Sequence, residues 1–420
     1  MREMRRKAAR YLAIIIAIYG IGLSKVQAAP PTLVLYGSDG GALEQSLERY
    51  RSGDAEVVGI VHALLTNAEN ALHDGPYSVV FKKHTIPGID IHDYVSIAPY
   101  TWPNPKTPNH LPYVDRDGER NPEFKDYDAL PLMNLTDHAY VLALAGYFSG
   151  DRRYSERSAE LMRIWFLNPA TRMNPNFDHA QIFKGVNEGE NGGIIESRRV
   201  IMLIDAMQIL KQSGTWSDAD EAAFRQWLRP FLSWLLTSKL GREESQSMNN
   251  HGTWYDVQVV TYSIYLGEDD QARNLLARAE HRMNMQLWPD GEMPFEEART
   301  RSFWYVSFYM EGATQLADIA ERVGVDLWHE RFADGSSIRR SLEFLIPYAI
   351  GEKKWPHEEI GGFTGKALLE PLRRAEAIWP EAGYERDVNE LKFPDVMTDE
   401  DREHPLFPAG LERIILPATR

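Results

Sequence analysis

The sequence predicts an all-α fold, an (α/α) toroid made of an incomplete ring of helical hairpins with long rim loops. Two helical patterns alternate from about Asn134 onward, one apolar on nearly every face and one amphipathic. The apolar kind starts near residues 134, 193, 249 and 303, so the pair recurs every 54 to 59 residues, a period that signals a repeat architecture. The joins Asn168–Gly192 and Leu287–Arg301 are long and rich in Gly, Pro, Asn and aromatic residues. Solenoids keep such joins short, whereas the rim of a closed ring uses them to build a site.

Residues 1–28 read as a signal peptide. Arg2, Arg5, Arg6, Lys7 and Arg10 precede the apolar run Tyr11–Leu23, which is too short for a bilayer but fits an export signal. Val26-Gln27-Ala28 then offers small residues for cleavage. The expected setting is periplasmic, with no membrane attachment after cleavage. Residues 29–130 are expected to give early helices and an irregular loop around Tyr100–Pro122 that caps one rim. The toroid core is placed at 131–380. Its inner helices are Asn134–Phe148, Gly193–Leu210, Asn249–Leu266 and Phe303–Ile319, and Tyr154–Phe166, Asp218–Leu236 and Asp269–Met283 cover them. Gly150-Asp151, Gly214 with Ser217, and Gly267-Glu268-Asp269 each stop one helix and open the next. A proline-punctuated tail, 381–420, is expected to wrap the surface.

Composition narrows the chemistry. The 420 residues are 43% apolar and 25% charged, as in a globular chain with a sizeable core. Lys+Arg number 46 against 61 Asp+Glu, a net charge of −15 that becomes −20 without residues 1–28. Nucleic acid is therefore not an expected partner. With no cysteine, disulfides, thiolate metal sites and Cys nucleophiles are excluded. The sequence contains no G-x-S-x-G, H-E-x-x-H, P-loop or G-x-G-x-x-G. Gly361–Lys366 has the wrong glycine spacing for a phosphate loop and reads as a helix-opening turn. The histidines show no paired spacing on a helix face, so neither a metal nor another cofactor is expected.

Three polar blocks sit where an otherwise buried helix begins. The first is Met248-Asn249-Asn250-His251-Gly252-Thr253-Trp254-Tyr255-Asp256, where Asn249 can also be read simply as a helix cap. The second runs from Asp290 to Tyr305 and brings Arg299, Arg301 and Tyr305 to the same rim. There, pairing of Arg299 with Glu296 is the plain structural alternative. The third is Asn187–Arg198, whose glycines permit close backbone approach.

These blocks resemble the alginate lyase-like domain shared by several polysaccharide lyase families. The matching pieces are Tyr100-Thr101-Trp102-Pro103-Asn104-Pro105, Leu111–Val114 with Arg116-Asp117-Gly118, Gly193–Glu196, Asn249–Asp256 and Glu296–Tyr305. Trp304 stands where such sequences often carry His. The resemblance implies an α/α toroid and metal-independent β-elimination of uronic-acid polymers, and the N-terminal and glycine-rich blocks are closer to the glucuronan-type branch. On that basis Asn250, His251 and Arg299 are expected to neutralise the C6 carboxylate of a β-1,4-linked mannuronate or glucuronate polymer. Tyr305, with its pKa lowered by nearby positive charge, is expected to take the C5 proton and return one to the C4 oxygen, His251 being the alternative base. Asn191, Arg198 and Arg301, with Tyr100, Trp102, Trp254 and Tyr255 as stacking platforms, are the expected substrate-binding set. Two other readings stay open at this stage. One is an α/α-toroid glycoside hydrolase using two carboxylates among Glu188, Glu190, Glu196 and Asp256. The other is a carbohydrate-binding protein without turnover.

Overall fold

A computed structural model of the chain describes residues 41–392 and 406–416. The expected signal peptide lies outside the described residues. In chain order come α1 (Gly41–Ser52), α2 (Ala55–Ala71), the short strands β1 (Val95–Ile97), β2 (Thr101–Trp102) and β3 (Val114–Asp115), then α3 (Ala129–Ser149) and α4 (Arg152–Phe166). After β4 (His179–Ile182) follow α5 (Val200–Ser213), α6 (Asp218–Thr237), α7 (Lys239–Glu244), α8 (Asn250–Leu266) and α9 (Asp269–Gln286). The chain continues through α10 (Pro294–Glu297), α11 (Ser302–Ala320), α12 (Ile338–Ala349), α13 (Leu369–Ile378), α14 (Tyr384–Glu390) and α15 (Glu412–Ile415).

The helices form the two layers of an (α/α) toroid. Helices α3, α5, α8 and α11 bury residues around their whole circumference, which only an inner layer permits. Helices α4, α6 and α9 bury one stripe each and cover them. Left-handed glycines at 150, 214 and 267 end α3, α5 and α8, because a residue with a Cβ pays to turn there. The segment 406–416 joins the first helices to the later ones: α15 packs on both α1 and α13, and the Asn67 amide donates to the Leu406 carbonyl at 2.9 Å. Among the described residues no helix is long and apolar enough to cross a membrane.

One inner helix starts later than its apolar pattern suggests. Residues 191–199 form a 3-10 stretch and α5 begins at Val200. Gly193 is the reason, since a Cβ there would sit 2.4 Å from the Ala180 Cβ on β4. The tight passage lets Glu196 accept from the Tyr94 and Ser96 hydroxyls, both at 2.7 Å, and from the Gln181 amide at 3.2 Å. Strand β4 pairs in parallel with β1 through a register shift, which places Gln181 in the left-handed region at φ 50°. Gly361–Lys366 does open a helix: Thr364 caps the 3-10 turn Gly365–Leu368.

Helix α9 fixes the entrance to α8. Asp256, 1% exposed, accepts from Arg278 at 2.6 Å and from Arg282 at 3.1 Å. Arg282 also donates to the carbonyls of Ser247 and Ser245, at 2.6 and 2.7 Å. One buried guanidinium therefore holds both the helix and the loop that leads into it. Asp256→Ala should cost about 3–5 kcal/mol, because it strands buried positive charge. Urea denaturation measures this, and a loss under about 1 kcal/mol, the scale of an exposed pair, would contradict the role.

Candidate active site

A cavity of about 310 Å³ opens at the rim where α8 and α11 begin. Tyr100, Arg198, Asn250, His251, Arg299 and Tyr305 all line it. Four blocks separated by up to 205 positions thus meet at one place, which the toroid achieves by starting its inner helices at the same end.

The Asn249–Asp256 run divides between cavity and scaffold. Asn249 caps α8, its side chain accepting from the His251 backbone at 3.2 Å. Asn250 is wholly buried, and Glu296 clamps it, accepting from its backbone N–H at 2.5 Å and its Nδ2 at 2.7 Å. The Asn250 Oδ1 is left without a partner. Gly252 makes room for Arg282, whose Nη1 would lie 1.9 Å from a Cβ. Burial pushes Glu296 up to about 7, against the pull of Asn250 and Arg299.

His251 is half-buried, and its Nδ1 lies 2.8 Å from Glu244 Oε1. An ionised carboxylate only accepts, so Nδ1 carries the proton. Burial pulls the imidazole down, but the carboxylates of Glu244 and Glu296 outweigh it and leave the pKa above its ordinary value.

Arg299 pairs with Asp117, not with Glu296. Its Nε lies 3.2 Å from both Asp117 oxygens and its Nη2 is closer still. Asp117 is set by Thr300, which donates through its backbone N–H at 3.1 Å and its hydroxyl. The Arg299 Nη2 also donates to the Tyr305 Oη at 2.7 Å, and the guanidinium carbon lies 3.7 Å from that ring's centre. Tyr305 in turn donates to the Tyr100 Oη at 3.1 Å. The expectation of a lowered Tyr305 pKa fails here. Burial and Tyr100 push it well above 10, and Arg299 offsets only part of the rise. The resting side chain is a neutral phenol.

The expected substrate-binding residues separate into two groups. Tyr100 and Arg198 line the cavity, Arg198 lying over the rings of Phe308 and Trp254. Asn191 stands beside it with its amide spent on Glu244 at 2.9 Å. Trp254 and Tyr255 belong to the core, at 3% and 1% exposure, and the Tyr255 hydroxyl donates to the Leu235 carbonyl at 2.8 Å. Neither offers a ring face to a ligand, because on an inner helix these two positions point into the layers. Arg301 is buried behind the wall against Trp304. Trp102 stands outside the cavity, with Arg116 over its ring. Trp304 itself lines the cavity and stacks on Phe308, with centroids 4.8 Å apart.

Sequence reasoning missed Glu244 and Asp117 as partners, and the plain alternative it weighed, Arg299 paired with Glu296, is not what the structure shows. Of the carboxylates a hydrolase would need, Asp256 is buried on two arginines away from the cavity, and Glu196 is saturated by three donors. Among the described residues no group of three or more His, Asp or Glu is placed to hold a metal ion.

The family model described as alginate lyase matches residues 78–355. The chain is similar to an alginate lyase from Bacteroides ovatus of solved structure, at 32% identity and TM-score 0.82, covering 90% of this chain and 100% of that one. It also shares the fold of alginate lyase A1-III from Sphingomonas species A1, at 15% identity and TM-score 0.51, covering 85% and 92%. A search of the curated proteins gives no match.

Placing Tyr255 in the core yields a test. Tyr255→Phe should lower stability by about 1–2 kcal/mol, the cost of leaving the Leu235 carbonyl unpaired, with KM unchanged for any polymer the chain acts on. A raised KM with unchanged melting would restore the stacking role.

Proposed function

The chain belongs to the alginate lyase family of polysaccharide lyases, and we propose that it cleaves a β-1,4-linked polyuronate, polymannuronate or glucuronan, by β-elimination at this cavity. The observation that carries this reading is the Arg299 Nη2 bonded to the Tyr305 Oη beside Asn250 and His251. The Bacteroides ovatus relative is named an alginate lyase, which supports a uronate substrate. The basic and then apolar first 28 residues support export to the periplasm, where such a polymer would be met.

The chemistry explains the residue set. Removing the C5 proton places charge on a carboxylate that is already negative, so that group must be neutralised first. Asn250, His251 and Arg299 supply donors and positive charge to it. In mannuronate and glucuronate the C5 proton and the C4 oxygen share a face, so one side chain can serve both. The Tyr305 phenolate, held by Arg299, takes the C5 proton and the C4=C5 double bond forms. The C4–O bond breaks with its electron pair on oxygen, and Tyr305 returns the proton there. Charge on both Arg299 and His251 favours this transfer in the transition state more than in the resting enzyme.

Ultraviolet absorbance of the unsaturated product tests the reading on purified chain with polymannuronate and glucuronan. Tyr305→Phe should reduce kcat by at least about a hundredfold, the usual worth of a positioned acid–base. Arg299→Lys should melt near wild type, since lysine can still pair with Asp117, yet lose most of kcat because a point charge cannot serve Asp117, Tyr305 and a carboxylate together. Normal kcat in either variant would refute its assignment.

The pH profile follows from Tyr305 and His251, the two groups whose protonation the proposed reaction sets. The reaction needs Tyr305 as phenolate and His251 as imidazolium. Below the His251 pKa, raising pH makes phenolate without losing imidazolium, so kcat/KM climbs. Between the two pKa values each gain in phenolate is matched by a loss of imidazolium, and the profile is flat. It should therefore level off above about 6.5 and not fall before about pH 10. A decline between neutral pH and about pH 9 would contradict a Tyr305 pKa above the ordinary 10.

A further inference from the structure

Glu244 is 1% exposed, and a carboxylate is costly to bury unless its bonds repay the lost hydration. Its oxygens divide their work. Oε2 accepts from the Asn191 amide at 2.9 Å and the Ser247 hydroxyl at 3.1 Å. Oε1 accepts from His251 Nδ1 at 2.8 Å. The mounting is rigid on every side. Gly241, in the same short helix, packs so tightly that a Cβ would lie 1.9 Å from the Leu235 carbonyl. The next turn is held through Ser245 and Ser247 by buried Arg282. With Nδ1 taken, the ring nitrogen left for the cavity that His251 lines is Nε2.

We propose that Glu244 is a positioning residue of the elimination: it fixes the His251 ring so that a protonated Nε2 faces the substrate carboxylate, with Asn191 holding Glu244 in place. This rests on the reading that His251 grips the carboxylate. The charged groups around the imidazole are Glu244, Glu296 and Glu190, opposed by Arg299. Glu244, bonded directly to Nδ1, leads the acidic groups that outweigh one guanidinium and favour the cationic ring. An imidazolium has no lone pair for the C5 proton, so Glu244 assigns His251 to donation and leaves proton transfer to Tyr305. Asn191 also gains a role that differs from substrate contact: it is not among the residues that line the cavity and it bonds Glu244, so it acts on the reaction two steps removed.

Glu244→Gln tests this, since glutamine keeps the volume and an acceptor oxygen while removing the charge. The first readout is titration of the His251 Cε1–H by NMR, identified by its loss in His251→Gln. The wild-type midpoint should lie above 6.5, the ordinary histidine value, and should drop in Glu244→Gln. The second is the pH profile of kcat/KM with the better of the two polymers. In the variant the plateau should begin at lower pH and sit lower, by about tenfold for every unit the His251 midpoint falls. At pH values below both midpoints the two enzymes should match. If His251 were the base, the variant would instead be faster there, because more of its imidazole would be neutral.

A wild-type midpoint at or below 6.5 overturns the proposal without any variant. So does a Glu244→Gln chain that loses activity while its His251 titrates as in wild type, which marks a structural role alone. Failure of the lyase reading looks different: wild-type chain would form no unsaturated product from either polymer, and the NMR midpoint would still report whether Glu244 charges His251.

Discussion

Three donors that line the cavity are each held from behind by a carboxylate. Asp117 fixes Arg299, Glu244 fixes His251 and Glu296 fixes Asn250. An unheld arginine or imidazole would spend conformational entropy on every encounter with a ligand. A donor already bonded on its far side has lost that freedom during folding. The arrangement sets a local cluster of donors against a net charge of −15. At the cavity a guanidinium and an imidazole stand among oriented N–H dipoles, and pre-aimed dipoles stabilise developing charge without reorganising. Net charge acts over distances that salt screens, and these contacts do not.

The same packing sets the protonation states. Burial pushes Tyr305 up more strongly than Arg299 pulls it down, so the phenol is stored neutral. It is deprotonated only in a small fraction of molecules, and under the proposed elimination that scarcity is offset in part, since a stronger base is the better acceptor of the C5 proton. Tyr100 adds to this by taking the Tyr305 proton in a hydrogen bond. The positive field of a nearby arginine, taken alone, predicts the opposite sign for the shift. The desolvation that reverses it comes from the closed walls of the cavity and is a property of tertiary structure.

That difference marks what could be read from the sequence. Buried and covering helices were legible because a helix apolar on all faces has only one place to go and a striped one must cover it, as Phe224, Trp227, Phe231 and Leu235 do on α6. The start of α5 was not, because Gly193 answers to Ala180 on another element. Within Asn249–Asp256 the polar residues stood out, but not their separate tasks. Asn250 and His251 face the cavity, whereas Gly252 and Asp256 serve Arg282, and Tyr255 serves Leu235. Glu244, Glu296 and Asp117 were hidden for a plainer reason. They are three among 61 acidic residues, and nothing in local pattern separates a surface carboxylate from one that holds a catalytic donor.

The supporting carboxylates come from three different segments: Asp117 from the rim segment after β3, Glu244 from the end of α7 and Glu296 from α10. Arg299 and Tyr305, by contrast, lie within seven residues of one another, at the entrance to α11. The Arg299–Tyr305 pair is thus local and the groups that aim it are long-range. The aim is set only when the rim segment docks, and docking is specific: a Cβ at Gly118 would lie 2.6 Å from the Thr300 hydroxyl, beside the Asp117–Thr300 bonds that orient Arg299. A single contact therefore carries two tasks, seating the rim on the toroid and pointing the guanidinium at Tyr305. Loss of that seat would leave Arg299 and Tyr305 in place and the arginine free to swing, a failure that kcat would record beyond any change in melting.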